Sequence, residues 1–238
     1  DRSEMTSQMN WEPIVPESVG VWLSEGFRAD FRSFVLLGSR SIAETDNERI
    51  FANYGTGVSS GRDSWVYNFR PDDLLINIQN TIDAYCEHLS RLSYSPSSKV
   101  DIDTFVSTDS ARISWSRDLK LELKRGRHAS YSPEQLRSAT YRPFTKTNIV
   151  LNPVLVDISG DMKAFFPTGV TEDENRQICV TSHSQVPFLA QMTNIVSCRD
   201  IGGRPSSFFP FYTYNEDGTN RRENITDWAL AHFRAVYG

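Results

Sequence analysis

Hydrophobic residues recur at helical spacing over residues 71–92, and this is the clearest pattern in the chain. Pro71 with Asp72 and Asp73 supplies a favourable first turn, because a proline fits the first helical position and acidic residues complement the positive end of the helix dipole. The apolar positions are Leu74, Leu75, Ile78, Ile82, Tyr85, Leu89 and Leu92. We therefore expect a long amphipathic helix over 71–92.

Shorter elements follow this helix along the sequence. Ser116 can cap a helix that runs to about Arg125, and Ser132 with Pro133 and Glu134 can start another toward Ala139. Residues 148–157, 177–182 and 207–214 are rich in β-branched or aromatic side chains, which favours strands. A terminal helix is expected over 226–237, with one face formed by Ile225, Trp228, Ala229, Phe233 and Val236. The predicted fold class is α+β, a mixed module with short strands.

A polar stretch, SYSPSS at Ser93–Ser98, is the best internal boundary. It predicts an N-terminal subdomain over 1–92 that leads to an upstream domain, a linker over 93–99 and a second subdomain over 100–238. A single domain across the whole chain is the alternative.

Composition describes an ordinary water-soluble chain of 238 residues, with 39% hydrophobic and 23% charged residues. No apolar run approaches the roughly 20 residues that a membrane helix requires. Three scattered cysteines fit neither a disulfide framework nor a paired zinc site, so the expected location is the cytoplasm. Because the sequence starts at Asp1 without a signal segment, we expect a fragment of a longer protein.

Charge is unevenly distributed along the chain. Nine Lys or Arg residues and three acidic residues lie from Arg112 to Lys146, so this segment carries a charge of +6. The net charge of the chain is −5, and the remaining residues therefore carry −11. A local basic segment of this kind indicates a phosphate-rich partner.

GTGVSSGRDSWVYNF, from Gly55 to Phe69, resembles a phosphate-binding loop at first sight. Its glycines do not have the spacing of a Walker or dinucleotide loop, and Arg62 stands where a Walker loop needs a lysine. Residues 65–69 predict a strand rather than the helix that such loops open. The stretch is better interpreted as a tight turn at Gly57 and Gly61, followed by a strand whose Trp65, Tyr67 and Phe69 face the core. In this interpretation Arg62 pairs locally with Asp63 or faces a ligand.

No complete catalytic set is visible. Pro71-Asp72 with Glu122-Leu123-Lys124 superficially matches a metal-dependent nuclease triad, but the same residues are explained by helix starts and helix faces. The four histidines have no spacing that would place two on one metal, and Asn152-Pro153-Val154 is not a methyltransferase motif. We expect no catalytic residue, metal or cofactor in this chain.

Cationic side chains form the most informative pattern. Arg117, Lys120 and Lys124 recur at helical spacing, and Arg127 joins them if the helix continues through Gly126, while Asp118 and Glu122 project to the opposite side. Such a stripe can bind phosphates, although a solvated helix face is the alternative. Arg142, in Tyr141-Arg142-Pro143-Phe144, is held extended by Pro143 and could bind a guanine, a phosphate or a buried carboxylate. The candidate DNA contacts are Arg62, Arg117, Lys120, Lys124, Arg125, Arg127, Arg142 and Lys146.

Five blocks carry a resemblance to a known family. They are GVSSGRDSWVYNF at Gly57, ISWSRDLKLELKRG at Ile113, YRPF at Tyr141, ICVTSHSQVPF at Ile178 and RRENITDWALAHFR at Arg221. In that order they resemble the C-terminal specificity domain of Type ISP single-polypeptide restriction-modification enzymes, which are often described as predicted helicases. The resemblance covers nearly the whole chain.

The resemblance implies a function. It implies sequence-specific binding of double-stranded DNA, with the target adenine presented to an upstream methyltransferase of the same polypeptide. It further implies a bacterial endonuclease with a helicase-like motor as the parent, which would use ATP, Mg²⁺ and S-adenosylmethionine. The alternatives are a nuclease or other catalytic fragment, and a coupling domain that packs the methyltransferase against the motor without binding DNA.

Overall fold

The computed structural model describes residues 35–38, 48–94, 100–106, 109–181 and 186–238. The chain divides into two compact units, Asp1–Leu36 and Leu37–Gly238, and almost all described residues belong to the second. Residues 95–99 of the expected linker lie outside the described residues, and so do Ser182 and His183.

The described part contains seven helices and eleven short strands, which confirms the α+β class. The helices are α1 (Asp63–Val66), α2 (Pro71–Ser93), α3 (Ile102–Phe105), α4 (Arg117–Lys124), α5 (Met162–Phe165), α6 (Gly169–Glu174) and α7 (Asp227–Tyr237). The strands are β1 (Leu36–Gly38), β2 (Arg49–Phe51), β3 (Tyr67–Asn68), β4 (Leu136–Arg142), β5 (Thr145–Val150), β6 (Gln177–Thr181), β7 (Ala190–Thr193), β8 (Val196–Ser197), β9 (Ser206–Pro210), β10 (Tyr212–Thr213) and β11 (Arg222–Glu223).

Helix α2 confirms the expected helix over 71–92 almost residue for residue. Pro71 occupies its first turn, and Leu74, Ile78 and Tyr85 on its apolar face are completely or almost completely buried. This face joins the main hydrophobic cluster together with Leu119 and Leu123 of α4. A core shared by α2 and α4 fixes the position of α4 relative to the sheets.

Two separate sheets organise the strands. In the four-stranded sheet the order is β3-β5-β4-β8, in which β4 and β5 form an antiparallel hairpin and β8 runs parallel to β4. In the three-stranded sheet β6 lies between β7 and β9, and both pairings are antiparallel. Two small two-stranded sheets, β1-β2 and β10-β11, complete the set.

Two sequence-based expectations about elements were wrong. The helix expected from Ser132 toward Ala139 is only a 3-10 turn over Pro133–Gln135, because the following residues pair with β5 and β8. The strand expected over 65–69 is split, because Trp65 and Val66 form the end of α1 and β3 contains just Tyr67 and Asn68. Phe69, expected in the core, is 71% exposed.

Three further expectations were confirmed in part, whereas the helix expected from Ser116 and the strand expected at 177 form as predicted. The strand expected over 148–157 ends at Val150, and the one over 207–214 is split between β9 and β10 at Phe211. Helix α7 forms as expected, but of its predicted inward face Phe233 and Val236 are exposed. No helix in the described ranges is long and apolar enough to cross a membrane.

Candidate nucleic-acid interface

Helix α4 presents a cationic face. Ser116 caps the helix by accepting a hydrogen bond from the Leu119 backbone N–H at 3.0 Å, while Leu119 and Leu123 anchor the opposite face in the core. The cations of the outer face, Arg117, Lys120 and Lys124, line one surface groove. The structure thus brings together the three stripe residues that lie within the helix.

Carboxylates partly neutralise this groove. Asp101 and Asp103 of the α3 segment line it as well, and Lys120 Nζ forms an ion pair with Asp103 Oδ1 at 2.7 Å. Within the described ranges no ion pair joins Arg117 or Lys124 to another side chain. Arg117 and Lys124 are therefore the cations of this groove with the least internal competition for a phosphate.

Arg127 does not belong to the helical stripe. The helix ends at Lys124, and Gly126 adopts a left-handed conformation with φ 71°. The Gly126 N–H bonds to Leu123 O at 3.0 Å and the Arg127 N–H to Glu122 O at 3.2 Å, which together form a Schellman motif. The condition for including Arg127, a helix that continues through Gly126, is not met, because this hydrogen-bond pattern terminates the helix near Arg125, as expected.

Glu122 collects two of the candidate cations. Its carboxylate pairs with Arg125 Nη1 at 2.7 Å and with Arg127 Nε at 3.2 Å. The arginine side chains remain more than half exposed, so each retains free N–H donors toward solvent. Glu122 does lie on the other side of α4, as expected. Its carboxylate binds two arginines that we predicted to contact DNA.

Arg62 is buried instead of facing a ligand. Its side chain has 0% exposed surface, and Nη2 forms an ion pair with Asp157 Oδ1 at 2.8 Å. Nε donates to Ser114 O at 3.2 Å, and the remaining donors reach Ser116 Oγ and Leu155 O. Burial lowers the pKa of the guanidinium, and the Asp157 charge opposes that shift. The structure therefore gives Arg62 a structural role, and we exclude it from the proposed DNA contacts.

The glycines around Arg62 have structural explanations. Gly61 has φ 66°, and a side chain there would collide with the Asp157 carboxylate that binds Arg62. A Cβ at Gly57 would lie 2.5 Å from Ser197 O, because the two backbone segments pass close to each other. The local pair expected between Arg62 and Asp63 is replaced by a hydrogen bond from Tyr141 Oη to Asp63 Oδ2 at 2.9 Å.

Arg142 ends β4 in an extended conformation, as Pro143 predicts, although a strand rather than a helix precedes it. Its guanidinium carbon lies 3.9 Å from the centre of the Tyr141 ring. Nη1 donates to Tyr141 O at 2.8 Å and to Cys198 Sγ at 3.4 Å, while Asp63 lies 3.8 Å from Nη2. These contacts hold Arg142 rigidly and leave 38% of its side chain exposed.

The tip of the β4-β5 hairpin is a feature that sequence reasoning missed. Pro143 and Phe144 connect the paired residues Arg142 and Thr145, and the register shifts at Tyr141 in a β-bulge. Phe144 has φ 56° and is 84% exposed. A proline followed by a residue with positive φ marks a type II turn, in which glycine is preferred at the second position. The sequence signal that could have singled out Phe144 is its place directly after Pro143, where a type II turn disfavours a bulky residue.

Candidate catalytic residues do not form a site. Asp72 lies in the first turn of α2, and Glu122 of α4 is occupied by two arginines. Across the described ranges, no three His, Cys, Asp or Glu side chains lie close enough to hold a metal ion.

A family model decides the classification. The model described as the Type ISP C-terminal specificity domain matches residues 49–238. The chain belongs to this family. A comparison with curated proteins finds no match for the specificity domain.

Solved structures share the fold of this specificity domain. A nuclease-deletion mutant of the Type ISP restriction-modification enzyme LlaGI, in complex with a DNA substrate mimic, matches 92% of the chain with 26% identity and a TM-score of 0.75. The DrdV–DNA complex matches 98% with 22% identity and a TM-score of 0.75. The ATP-dependent Type ISP enzyme LlaBIII bound to DNA matches 92% with 23% identity and a TM-score of 0.73. The specificity domain spans 20%, 22% and 14% of those three chains.

Proposed function

We propose that this specificity domain recognises a defined sequence in double-stranded DNA and positions a target adenine for a methyltransferase upstream in the same polypeptide. The observation that carries the proposal is the shared cationic face of Arg117, Lys120 and Lys124 on a helix anchored in the core. Family membership and the DNA present in the LlaGI, DrdV and LlaBIII structures support it.

The proposed mechanism separates affinity from specificity. Arg117 and Lys124 neutralise phosphates directly, and Lys120 does so once a phosphate displaces Asp103. Further contacts to DNA phosphates come from Arg125, Arg127, Arg142 and Lys146. Other polar side chains read the base edges. Phosphate contacts then fix the register of the domain on the duplex.

The parent polypeptide is part of the proposal. We place an adenine methyltransferase, a helicase-like ATPase and a nuclease upstream, with S-adenosylmethionine, ATP and Mg²⁺ as their cofactors, in a bacterial cytoplasm. The methylation state of the target adenine would determine whether the motor and nuclease engage. No reacting group is assigned to the specificity domain itself.

The test is a salt series of duplex binding by the 238-residue chain, followed by fluorescence anisotropy of a labelled mixed-sequence duplex. The logarithm of the association constant should fall linearly with the logarithm of the salt concentration, because each neutralised phosphate releases counterions. Arg117→Ala and Lys124→Ala should each reduce the magnitude of this slope by about one.

Arg234→Ala is the matched control, because Arg234 is an exposed arginine on α7 that does not line the groove. We expect it to leave the slope unchanged. Absence of salt-dependent binding by the unmodified chain would favour the coupling-domain alternative, and an equal effect of all three substitutions would contradict the assigned face.

A further inference from the structure

The fold of the hairpin does not require a phenylalanine at position 144. Its ring is 84% exposed, so it contributes little to the core. Its backbone has φ 56°, where glycine would be favoured and a bulky side chain is strained. Strain at an exposed aromatic residue points to a role outside the fold.

The surroundings of Phe144 hold the turn in place. The Phe144 backbone N–H donates to Gln191 Oε1 of β7 at 3.2 Å, which ties the tip to the second sheet. The bulge at Tyr141 changes the direction of the hairpin just before the tip. The hydrogen bond to Gln191 and the bulge at Tyr141 hold the tip, so the Phe144 side chain can have a defined orientation.

Charge around the tip favours a nucleic-acid partner over a protein partner. Arg142 and Lys146 flank Phe144 in the sequence, no Asp or Glu occurs between Gln135 and Val156, and Asp63 Oδ2 approaches Arg142 Nη2 only to 3.8 Å. Lys146 is exposed, and Arg142 is braced against the Tyr141 ring. A cation on each strand of the hairpin, next to an exposed ring, suits phosphates on either side of a base.

We propose that Phe144 is a DNA-stacking residue, whose ring inserts at a base step of the duplex and packs on the face of an unstacked base. This inference rests on the proposed function. Insertion of apolar side chains between base steps is a general way to bend and grip duplex DNA, and stacking tolerates any sequence because every base has an aromatic face. The flanking cations would neutralise the adjacent phosphates.

Phe144→Gly in the 238-residue chain separates this role from a structural one. Glycine removes the ring and relieves the strained backbone, so thermal unfolding should occur at an unchanged or higher temperature. Affinity for a mixed-sequence duplex should fall roughly 5- to 150-fold, the range of losses when a stacking aromatic is removed. The salt slope should not change, because no phosphate contact is lost.

A duplex with one mismatched base pair provides a second measurement. Unstacking is less costly at a mismatch, so the unmodified chain should bind this duplex more tightly than the matched one. Phe144→Gly should abolish the preference. Tyr94→Ala is the control, because Tyr94 is an 88% exposed aromatic residue on another element, directly after the last residue of the 23-residue helix α2. Its loss should change neither affinity nor preference.

The outcomes distinguish the inference from the function on which it rests. If the unmodified chain binds no duplex, the proposed function fails and the inference fails with it. If it binds with the expected salt slope while Phe144→Gly binds equally well, the inference alone is overturned and Phe144 is left as a contact for another protein surface. A lower unfolding temperature for Phe144→Gly would make the residue structural.

Discussion

Among single side chains, Arg62 shows most clearly what a local pattern conceals. Its sequence neighbours suggested a ligand loop, yet its partners Ser114 and Asp157 lie 52 and 95 positions further along the chain. No local pattern encodes such contacts. Removal of one partner from a buried ion pair leaves an uncompensated charge, which typically costs about 3–5 kcal/mol.

Arg62→Ala should therefore lower the free energy of unfolding by about 3–5 kcal/mol, measured by urea denaturation. Arg125→Ala should change it by no more than about 1 kcal/mol, because the Arg125 side chain is 57% exposed and Glu122 keeps Arg127 as a partner. If Arg62→Ala retained full stability and reduced the salt slope of DNA binding by one, the structural role would be wrong and a DNA contact correct.

The Cys179 thiol gives a prediction about pH. Burial in β6 raises the pKa of this thiol from 9.0 to about 12. Its unfolded form ionises above about pH 9 while the folded form keeps its proton, so the stability present below that pH is lost as the pH rises toward about 12. Cys179→Ala should flatten the decline in unfolding free energy between about pH 9 and pH 12. Parallel declines in both proteins would show that this thiol does not contribute.

Secondary-structure elements were predictable where their signals are local. Pro71 and the helical spacing located α2, and the Ser116 cap located α4. The prediction for β4 was wrong because its polar residues Ser138, Thr140 and Arg142 give only a weak alternation of polar and apolar positions. In the structure its pairing with β5 and β8 overrides the helix start at Ser132. The cationic groove was predictable from the spacing on α4, whereas its neutralising Asp103 comes from α3 and required the structure.

The end of α4 can be tested by Gly126→Ala. An alanine in the left-handed conformation of the Schellman motif is strained, so we expect the free energy of unfolding to fall by about 1–2 kcal/mol. If the helix continued through this position, the same change would instead stabilise it by about 1 kcal/mol. A Cβ at this site would point into open space, so a steric clash does not complicate the sign. Urea denaturation measures which sign is correct.

For the chain as a whole, charge distribution and length matter together. The basic segment carries +6 against a net charge of −5, so the rest of the chain is acidic and opposes nonspecific attachment to DNA. The three DNA-bound proteins that share this fold are several times longer than this chain, which spans 14–22% of them. The parent polypeptide proposed above would place further domains on the same duplex.

The specificity domain joined to its proposed upstream methyltransferase should therefore bind DNA more tightly than either domain alone. Once one domain holds the duplex, the other binds in an effectively intramolecular step, which can raise overall avidity by about 10²–10⁴. The salt slope should steepen as well, because contacts from both domains release counterions together. Anisotropy on one duplex, with the specificity domain, the methyltransferase and the joined polypeptide, measures both quantities. Equal affinities for the joined polypeptide and the methyltransferase alone would mean that the specificity domain does not grip DNA in the assembled enzyme.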